Sequence, residues 1–200
     1  MKEKQRSLQE HLKYGIVILA AGTSRRLGTP KQFLLYKGDT LLNNAIKTAT
    51  EVNAGALVVI LGAETATLNV PVIHNPDHNE GMASSIRHGV QYMKERVENI
   101  ILMVCDQPHV NAAHLSALIA KHKTTGARIV ASYYEDRKGV PALFDQTLFP
   151  ELLSLTGDTG AKRIIEKHEA DTAIVPFPPG AIDIDTEEAY QALITATPGK

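Results

Sequence analysis

Short apolar runs alternate along the chain with longer stretches in which apolar residues recur every three or four positions. The short runs are rich in Val, Ile and Leu, as buried strands are, and the longer stretches have the period of helices. The pattern predicts strands at residues 16–20, 56–61, 70–74, 100–105 and 128–134. It predicts helices at residues 41–52, 82–96, 111–123, 161–168 and 186–195, several of them with Thr, Asn or Asp as N-cap.

This alternation of strands and helices predicts an α/β fold. We expect a single Rossmann-like domain whose mostly parallel, twisted sheet carries helices on both faces. In such sheets, ligands bind outside the carboxyl ends of the strands. Residues that directly follow a predicted strand are therefore the first candidates for a functional site.

The length and composition agree with one domain. A chain of 200 residues with 44% hydrophobic residues can bury one sizeable core. We expect the domain to span residues 14–200, with residues 1–13 as an N-terminal extension. That extension lacks the apolar core of a signal peptide, and no apolar run reaches the ~20 residues that cross a bilayer. A cytoplasmic protein without a membrane partner is therefore expected.

The charge balance gives no sign of a nucleic-acid partner. The 21 basic and 22 acidic residues leave a net charge of -1, so any anion binding must be local. The single cysteine, Cys105, cannot form an internal disulfide and has no obvious activating base, so we assign it no nucleophilic role. The eight histidines show no convincing metal-ligand spacing.

The most informative segment follows the first predicted strand. Residues 19–35 read LAAGTSRRLGTPKQFLL, with three small and then three basic residues: Ala20, Ala21, Gly22, Arg25, Arg26 and Lys31. The small residues let the backbone approach a ligand, and the basic ones can add charge-assisted hydrogen bonds to a polyphosphate. The alternative is a solvated turn with surface cations. The spacing matches neither the Rossmann GxGxxG nor the P-loop GxxxxGK[ST] pattern.

Carboxylates at two other places are candidate ligands of a cation. Asp106 follows the apolar run NIILMVC and should reach the same edge of the sheet, where a carboxylate suits Mg²⁺. A cap of the turn before Pro108 is the alternative. Asp183 and Asp185 alternate in IDID, which predicts a strand with both on one face. Asp185 could instead cap the helix that follows it.

Two further stretches have a functional and a purely structural interpretation. The small residues and serines of GMASSIRHG stand at a predicted helix start, where they could hydrogen-bond a base or ribose, or simply cap the helix. Asp158, in TGDTGA, precedes another predicted helix and could either cap it or contact an acceptor substrate. The sequence pattern leaves both pairs of alternatives open.

Taken together, these motifs resemble those of nucleotidyltransferases that join an NTP to a phosphorylated acceptor. The pattern AAGxSxRxGxPKxxL, followed by NPDHNEGMASSIRHG, CDQP, GVPALF, LTGDTGAKRII and IDIDTEEAY, has the order expected of molybdenum cofactor cytidylyltransferases. That branch is related to the MobA-like proteins and has the nucleotide-diphospho-sugar transferase type of fold. The resemblance covers nearly the whole chain from Tyr14.

The resemblance implies transfer of CMP from CTP to the phosphate of molybdenum-loaded molybdopterin, with release of pyrophosphate and with Mg²⁺ as cofactor. A target molybdoenzyme or its chaperone would be a further partner. The implied catalytic residues are Arg26, Lys31 and Asp106, and the implied metal ligands are Asp106 and Asp185. The implied nucleotide-binding residues are Ala20, Ala21, Gly22, Ser24, Arg25, Arg26, Lys31, Gly81 and Ser85. The implied acceptor-binding residues are Gly139, Pro141 and Asp158.

One departure from the family pattern concerns the acceptor. Val140 stands where His or Asn often separates the Gly and Pro of the acceptor loop, which removes a hydrogen-bond donor. Two alternatives therefore accompany the assignment: transfer from another nucleotide or to another phosphorylated acceptor, and a non-catalytic protein of the same fold that binds and delivers the cofactor.

Overall fold

The computed structural model of the protein describes residues 12–22 and 27–196. Its strands are β1 (Leu12–Ala20), β2 (Leu35–Tyr36), β3 (Asp39–Thr40), β4 (Gly55–Leu61), β5 (Val72–His74), β6 (Val97–Val104), β7 (Ile129–Tyr134), β8 (Arg137–Asp145) and β9 (Thr172–Pro176). Its α-helices are α1 (Leu41–Glu51), α2 (Met82–Met93), α3 (Ala112–Thr125), α4 (Phe149–Leu153), α5 (Lys162–Lys167) and α6 (Glu187–Ala196).

Seven of the strands form one sheet in the order β5-β4-β1-β6-β8-β7-β9. β1 pairs in parallel with β4 and β6, β4 with β5, and β7 with β9, while β8 runs antiparallel to both of its neighbours. The predicted mostly parallel α/β fold is therefore confirmed. β2 and β3 form a separate small hairpin.

Helices cover both faces of the sheet. Successive side chains of each strand therefore point alternately into the core on one face and the core on the other. In β1, Val17 packs into the core beneath α2, α4 and α5, while Ile16 and Ile18 pack into the core beneath α1 and α3. A third, smaller core joins α6 to the β2–β3 hairpin through Leu193 and Tyr36. No helix among the described residues combines the length and apolar character that crossing a bilayer requires.

Three helix starts carry N-caps of the kind that the sequence suggests, and the one at the start of α6 is Thr186, whose hydroxyl accepts from the N–H of Ala189 at 3.2 Å. Thr40 accepts a hydrogen bond from the N–H of Asn43 at the start of α1, at 3.1 Å. Asn111 accepts one from the N–H of His114 at the start of α3, at 2.9 Å. Each cap satisfies a backbone donor that has no partner inside its helix.

The structure differs from the sequence prediction in several places, and the short elements β2, β3 and α4 are among those that were not predicted. β8 and β9 were not predicted, and each contains a proline. The residues of IDID form no strand: Ile184 is fully buried while Ile182 is 47% exposed, so the two isoleucines do not share one face. β1 begins at Leu12 and so includes the last two residues of the predicted N-terminal extension; residues 1–11 lie outside the described part.

Candidate active site

An open cleft of about 600 Å³ lies at the carboxyl ends of β1 and β6. The parallel strands bring the residues after each strand to the same edge, as expected for this fold class. Predicted site residues that line the cleft are Ala20, Ala21, Gly22, Lys31, Gly81, Ser85, Asp106, Asp158 and Asp185. Ser24, Arg25 and Arg26 lie outside the described residues.

An ion cluster occupies the centre of the cleft. Lys31 stands on a short 3₁₀ turn, and its Nζ lies 2.5 Å from Oδ2 of Asp106 and 2.8 Å from Oδ1 of Asp185. The side chains of Lys31 and Asp106 are each only 16% exposed, whereas Asp185 is 47% exposed. Two carboxylates from distant parts of the chain therefore converge on one cation.

The segment that carries Asp185 is attached to the strand end that carries Asp106. The N–H of Ile184 donates to the backbone carbonyl of Asp106 at 3.1 Å. The Ile184 side chain is fully buried in the small core with Tyr36 and Leu41. One main-chain hydrogen bond and one buried side chain thus hold the second carboxylate beside the first.

The electrostatics of the cluster favour a charged lysine. Burial disfavours the ammonium of Lys31, but the charges and hydrogen bonds of Asp106 and Asp185 outweigh it and raise the Lys31 pKa. Burial, followed by the charges of Asp185 and Asp106, raises the pKa of the neighbouring Asp183 carboxyl. Burial also raises the pKa of the Cys105 thiol, so its thiolate is disfavoured, which favours the expectation that Cys105 is not a nucleophile.

The opposite wall of the cleft is built from two loops that interlock. Gly81 has a φ of 122°, and a Cβ there would lie 2.7 Å from the Cα of Asp158 and from the carbonyl oxygen of Gly157. The N–H of Ala83 donates to that Gly157 carbonyl at 3.2 Å. Only a residue without a side chain allows this approach.

A salt bridge ties the same two loops together. The guanidinium of Arg87 donates to both carboxylate oxygens of Glu80 and to the carbonyl of Leu155, and Glu80 also accepts from the N–H of Gly157. The hydrogen bonds from Arg87, and then the one from Gly157, lower the Glu80 pKa to about 2. Glu80 itself lines the cleft.

Asp158 caps a helix, but not the helix that follows it in sequence. Its Oδ1 accepts from the N–H of Met82, at 3.4 Å, at the start of α2. The predicted cap of the helix that follows Asp158 is therefore wrong, since among the described residues α5 begins without a side-chain cap. A contact with an acceptor stays a prediction, and Asp158 does line the cleft.

The other two predicted acceptor residues lie on β8. Gly139 faces Tyr134, whose Oη would lie 2.3 Å from a Cβ at that position. The carbonyl of Pro141 accepts from the buried hydroxyl of Ser132 at 2.6 Å. In the part of the chain that the structure describes, neither lines the cleft, and their contact with an acceptor stays a prediction.

Several cleft residues were not identified from the sequence: Leu19, Leu27, Gln32, His78, Asn79, Glu80, Met82, Val104 and Cys105. Most of them lie within the motifs that carry the resemblance. The motifs therefore indicate which segments form the cleft but not which of their side chains line it. The described residues contain no group of three or more His, Cys, Asp or Glu side chains able to hold a metal ion.

Comparison with known proteins identifies the family of this chain. The sequence profile of the MobA-like NTP transferase domain matches residues 16–172. The chain belongs to this family. The match spans β1 to the start of β9 and includes Lys31 and Asp106, while Asp185 lies beyond it.

Two relatives of this MobA-like protein have names from outside cofactor biosynthesis. It is 30% identical over 192 residues to the purine catabolism protein PucB of Bacillus subtilis, covering 87% of this chain and 92% of PucB. It is 31% identical over 162 residues to nicotine blue oxidoreductase of Paenarthrobacter nicotinovorans, covering 73% of this chain and 78% of the relative. The molybdenum cofactor cytidylyltransferase of Escherichia coli is 29% identical over 100 residues, or 46% of this chain and 50% of that enzyme.

Solved structures share the whole fold. The crystal structure of Rv0371c from Mycobacterium tuberculosis superposes with a TM-score of 0.81 at 30% identity, covering 92% of this chain and 98% of that one. A second structure of Rv0371c, in complex with manganese, has a TM-score of 0.76 at 27% identity and covers 92% of this chain and all of that one. The fold is thus shared along 92% of this chain.

Proposed function

We propose that this NTP transferase transfers CMP from CTP to the phosphate of a molybdopterin-type acceptor and releases pyrophosphate. The observation that carries the proposal is the convergence of Lys31, Asp106 and Asp185 in a cleft lined by the small residues that follow β1. A basic side chain, two carboxylates and exposed backbone at one edge are the groups that phosphoryl chemistry requires.

In the proposed reaction, an oxygen of the acceptor phosphate attacks the α-phosphorus of CTP. The bond from the α-phosphorus to the oxygen that bridges to the β-phosphate breaks, and pyrophosphate leaves with that bond's electron pair. Lys31, with Arg26 as predicted from the sequence, would bind the phosphates of the leaving group. A phosphate monoester is already largely ionised near neutral pH, so the protein must supply positioning and charge neutralisation rather than a strong base.

The carboxylates also fit a divalent cation. Asp106 and Asp185 direct oxygen atoms to one position, and carboxylates together with substrate phosphates are the usual ligands of Mg²⁺. When bound there, Mg²⁺ would neutralise charge on the triphosphate.

The choice of CTP rests on the LAAG and GMASS motifs, which resemble those of the cytidine-using branch. The choice of a molybdopterin acceptor rests on the same resemblance and on the name of the Escherichia coli relative. Pyrophosphate release measured with CTP, GTP and ATP, each with and without a molybdopterin acceptor, tests it. We expect acceptor-dependent release with CTP above all. Release with GTP as the preferred nucleotide would contradict the base assignment, and nucleotide binding without any release would favour the delivery protein.

A further inference from the structure

Gln107 follows Asp106 directly, and its side chain is buried, with only 8% of the residue exposed. It is not among the described residues that line the cleft. Its Nε2 donates to the backbone carbonyl of Gly180 at 2.8 Å and to the hydroxyl oxygen of Tyr134 at 3.4 Å. Tyr134 donates its own proton to the carbonyl of Val140, so its oxygen is free to accept. A flipped amide would set its oxygen against the Gly180 carbonyl, and the network therefore fixes this orientation.

The segment that begins at Gly180 and ends at Asp185 is attached near both ends to consecutive residues. Gln107 binds the carbonyl of Gly180 through its side chain. Asp106 binds the N–H of Ile184 through its backbone carbonyl, at 3.1 Å. Asp185 follows the second attachment directly. Loss of the first attachment would let the start of the segment move while Ile184 stays in its small core.

The amide oxygen of Gln107 indicates that this side chain serves through its donor. Oε1 is buried and has no hydrogen-bond partner in the part of the chain that the structure describes. A buried acceptor without a partner costs stability, and an apolar side chain of similar length would avoid that cost. The contribution of Gln107 therefore comes from Nε2 and its bond to Gly180.

We propose that Gln107 is a positioning residue that holds Asp185 beside Asp106, so that both carboxylates can share one cation. The inference rests on the proposed function, in which these two carboxylates bind the divalent metal ion. It adds the residue that sets their spacing. Gln107 acts through the backbone of Gly180 and not by contact with the substrate.

Gln107→Met keeps the approximate length of the side chain and removes its donor. Mn²⁺ binding in the absence of nucleotide, followed by electron paramagnetic resonance of free Mn²⁺, should weaken by about threefold to tenfold, the range of one neutral hydrogen bond. Turnover with CTP should fall at limiting magnesium and recover at saturating magnesium, because the variant retains both carboxylates. A general loss of structure would not give this dependence on magnesium.

Asn99→Leu is the matched control, because Asn99 is a buried amide with the same hydrogen-bond pattern. It is 2% exposed, and its Nδ2 donates to the carbonyl of Lys13 at 3.0 Å. Its Oδ1 likewise has no partner among the described residues. Asn99 lies near the beginning of β6, however, at the opposite end of the strand from the cleft. The Mn²⁺ affinity of Asn99→Leu should equal that of wild type.

Tyr134→Phe tests the same link should Gln107→Met fail to fold. It removes the second partner of the Gln107 amide with almost no change in volume, and Mn²⁺ binding should weaken by about twofold to fivefold. Tyr133→Phe is its control from the same strand, since the Tyr133 hydroxyl bonds only to the exposed Asp136, at 3.2 Å, among the described residues. This control should bind Mn²⁺ as wild type does.

The outcomes separate the two proposals. Wild-type Mn²⁺ affinity in Gln107→Met, or an equal loss in Asn99→Leu, would overturn the role of Gln107, and so would a wild-type protein that binds no Mn²⁺. Pyrophosphate release by wild type would leave the proposed function standing in each of these cases. If folded wild type releases no pyrophosphate with any nucleotide, the proposed reaction is overturned, and weaker Mn²⁺ binding by Gln107→Met would still support its placement of the carboxylates.

Discussion

Lys31 occupies the position on which two carboxylates converge, so at the scale of single residues the described part of the cleft holds an ion cluster of one lysine and two carboxylates. The lysine is mostly buried with Asp106, while Asp185 stays partly exposed. A buried charge is costly unless it is paired, and here both short contacts supply the pairing. The same contacts place any incoming cation in competition with Lys31 for the two carboxylates.

The first prediction concerns Asp106. Asp106→Asn preserves size and hydrogen-bonding capacity but removes a charge from the cluster. If Asp106 acts in catalysis, turnover should fall by roughly two orders of magnitude or more, the scale of losing one electrostatic stabiliser at a reacting centre. The melting temperature should move little, because Lys31 keeps its ion pair with Asp185 and the amide oxygen of an asparagine can still accept from Lys31.

Steady-state rates over a magnesium titration, with thermal melts of the same protein, provide the measurement. Asp183→Asn is a suitable control, since in the described part of the chain Asp183 makes no hydrogen bond to Lys31. It should lose less than about tenfold in turnover on this electrostatic scale. Near-normal turnover by folded Asp106→Asn at ordinary magnesium would show that the Asp106 charge is not needed for catalysis.

The second prediction follows from the competition for the carboxylates. Lys31→Met keeps the length of the side chain and removes its charge, so Asp106 and Asp185 lose a shared counter-ion. In the absence of nucleotide, the variant should bind Mn²⁺ more tightly than wild type, while its turnover with CTP falls. Electron paramagnetic resonance of free Mn²⁺ measures the first effect without any reaction.

Lys47→Met is the matched control for this experiment. Lys47 pairs with Asp39 at 2.7 Å but is 63% exposed and does not line the cleft. Its Mn²⁺ affinity should equal that of wild type. Equal affinity in wild type and Lys31→Met would mean that Lys31 does not shield the carboxylates from a cation.

At the scale of elements, the wall opposite the ion cluster depends on the contact between the start of α2 and the loop after α4. Asp158 caps α2, Glu80 and Arg87 bridge the two segments, and Gly81 allows their backbones to touch. Any change that separates these segments also moves the cleft residues they carry.

The third prediction uses Gly81→Ala. The added methyl group would meet the backbone of Asp158 at 2.7 Å and would sit on a residue with φ of 122°, so the two segments must move apart. We expect a loss of about 1–3 kcal/mol in the free energy of unfolding, together with weaker nucleotide binding. Urea unfolding and calorimetry measure the two effects.

Gly160→Ala serves as the control in the same region. A Cβ at Gly160 would meet Met82 at 3.8 Å, an ordinary van der Waals distance, and the backbone there is not left-handed. Its stability and nucleotide affinity should stay close to wild type. If Gly81→Ala behaves like Gly160→Ala, the close approach of the two segments is not needed for the cleft.

Element by element, the sequence predicts what depends on local periodicity and misses what depends on distant pairing. The strands β1, β4 and β6 are nearly continuous apolar runs, as expected for strands whose two faces are both buried. β8 contains Gly139 and Pro141, which argue against a strand in sequence; the register of β7 and β8 shifts beside them, between Ala131 and Ser132. IDID alternates like a strand, yet its residues are placed by the Ile184 bond to Asp106 rather than by a sheet.

The candidate site follows the same division. Lys31, Asp106 and Asp185 were predicted as residues of separate motifs. The structure brings Lys31 and Asp106 together because the segments after β1 and β6 meet at one edge of the sheet, and the Ile184 hydrogen bond places Asp185 beside them. The hydrogen bonds from the Asn75 side chain to two serines of α2, and the Glu80–Arg87 salt bridge, were not predicted. Their partners lie 7 to 10 positions away within the motif and, for Arg87, 68 positions away at Leu155, and no local pattern indicates which side chains meet.

At the scale of the whole molecule, His114 connects α3 to β7 and to the segment that follows β9. Its ring stacks on Phe177 at 3.9 Å and its Nε2 lies 2.7 Å from the Ser132 hydroxyl. Ser132 donates to the carbonyl of Pro141, so the Ser132 oxygen accepts from the Nε2–H of neutral His114. Burial lowers the His114 pKa to about 4 from its ordinary 6.5, and the folded protein therefore holds this ring uncharged.

The fourth prediction is the pH dependence of stability that follows. Between pH 6.5 and about 4, the unfolded chain binds a proton at His114 that the folded protein does not, so the free energy of unfolding falls as the pH is lowered. His114→Gln keeps a polar side chain but cannot be protonated. Over this window its stability should therefore decline less steeply than that of wild type, by up to about 1.4 kcal/mol per pH unit.

Urea unfolding at pH values between 4.5 and 8 measures both curves. Above pH 7.5 they should run parallel, because His114 is then neutral in the folded and unfolded states alike, and any constant offset reports the lost stacking on Phe177. The difference in slope must begin below about pH 7.5 and be largest between pH 6.5 and about 4. Parallel curves throughout would mean that the folded protein accommodates a charged His114, which the burial of the ring against Phe177 and the apolar core beneath α3 argues against.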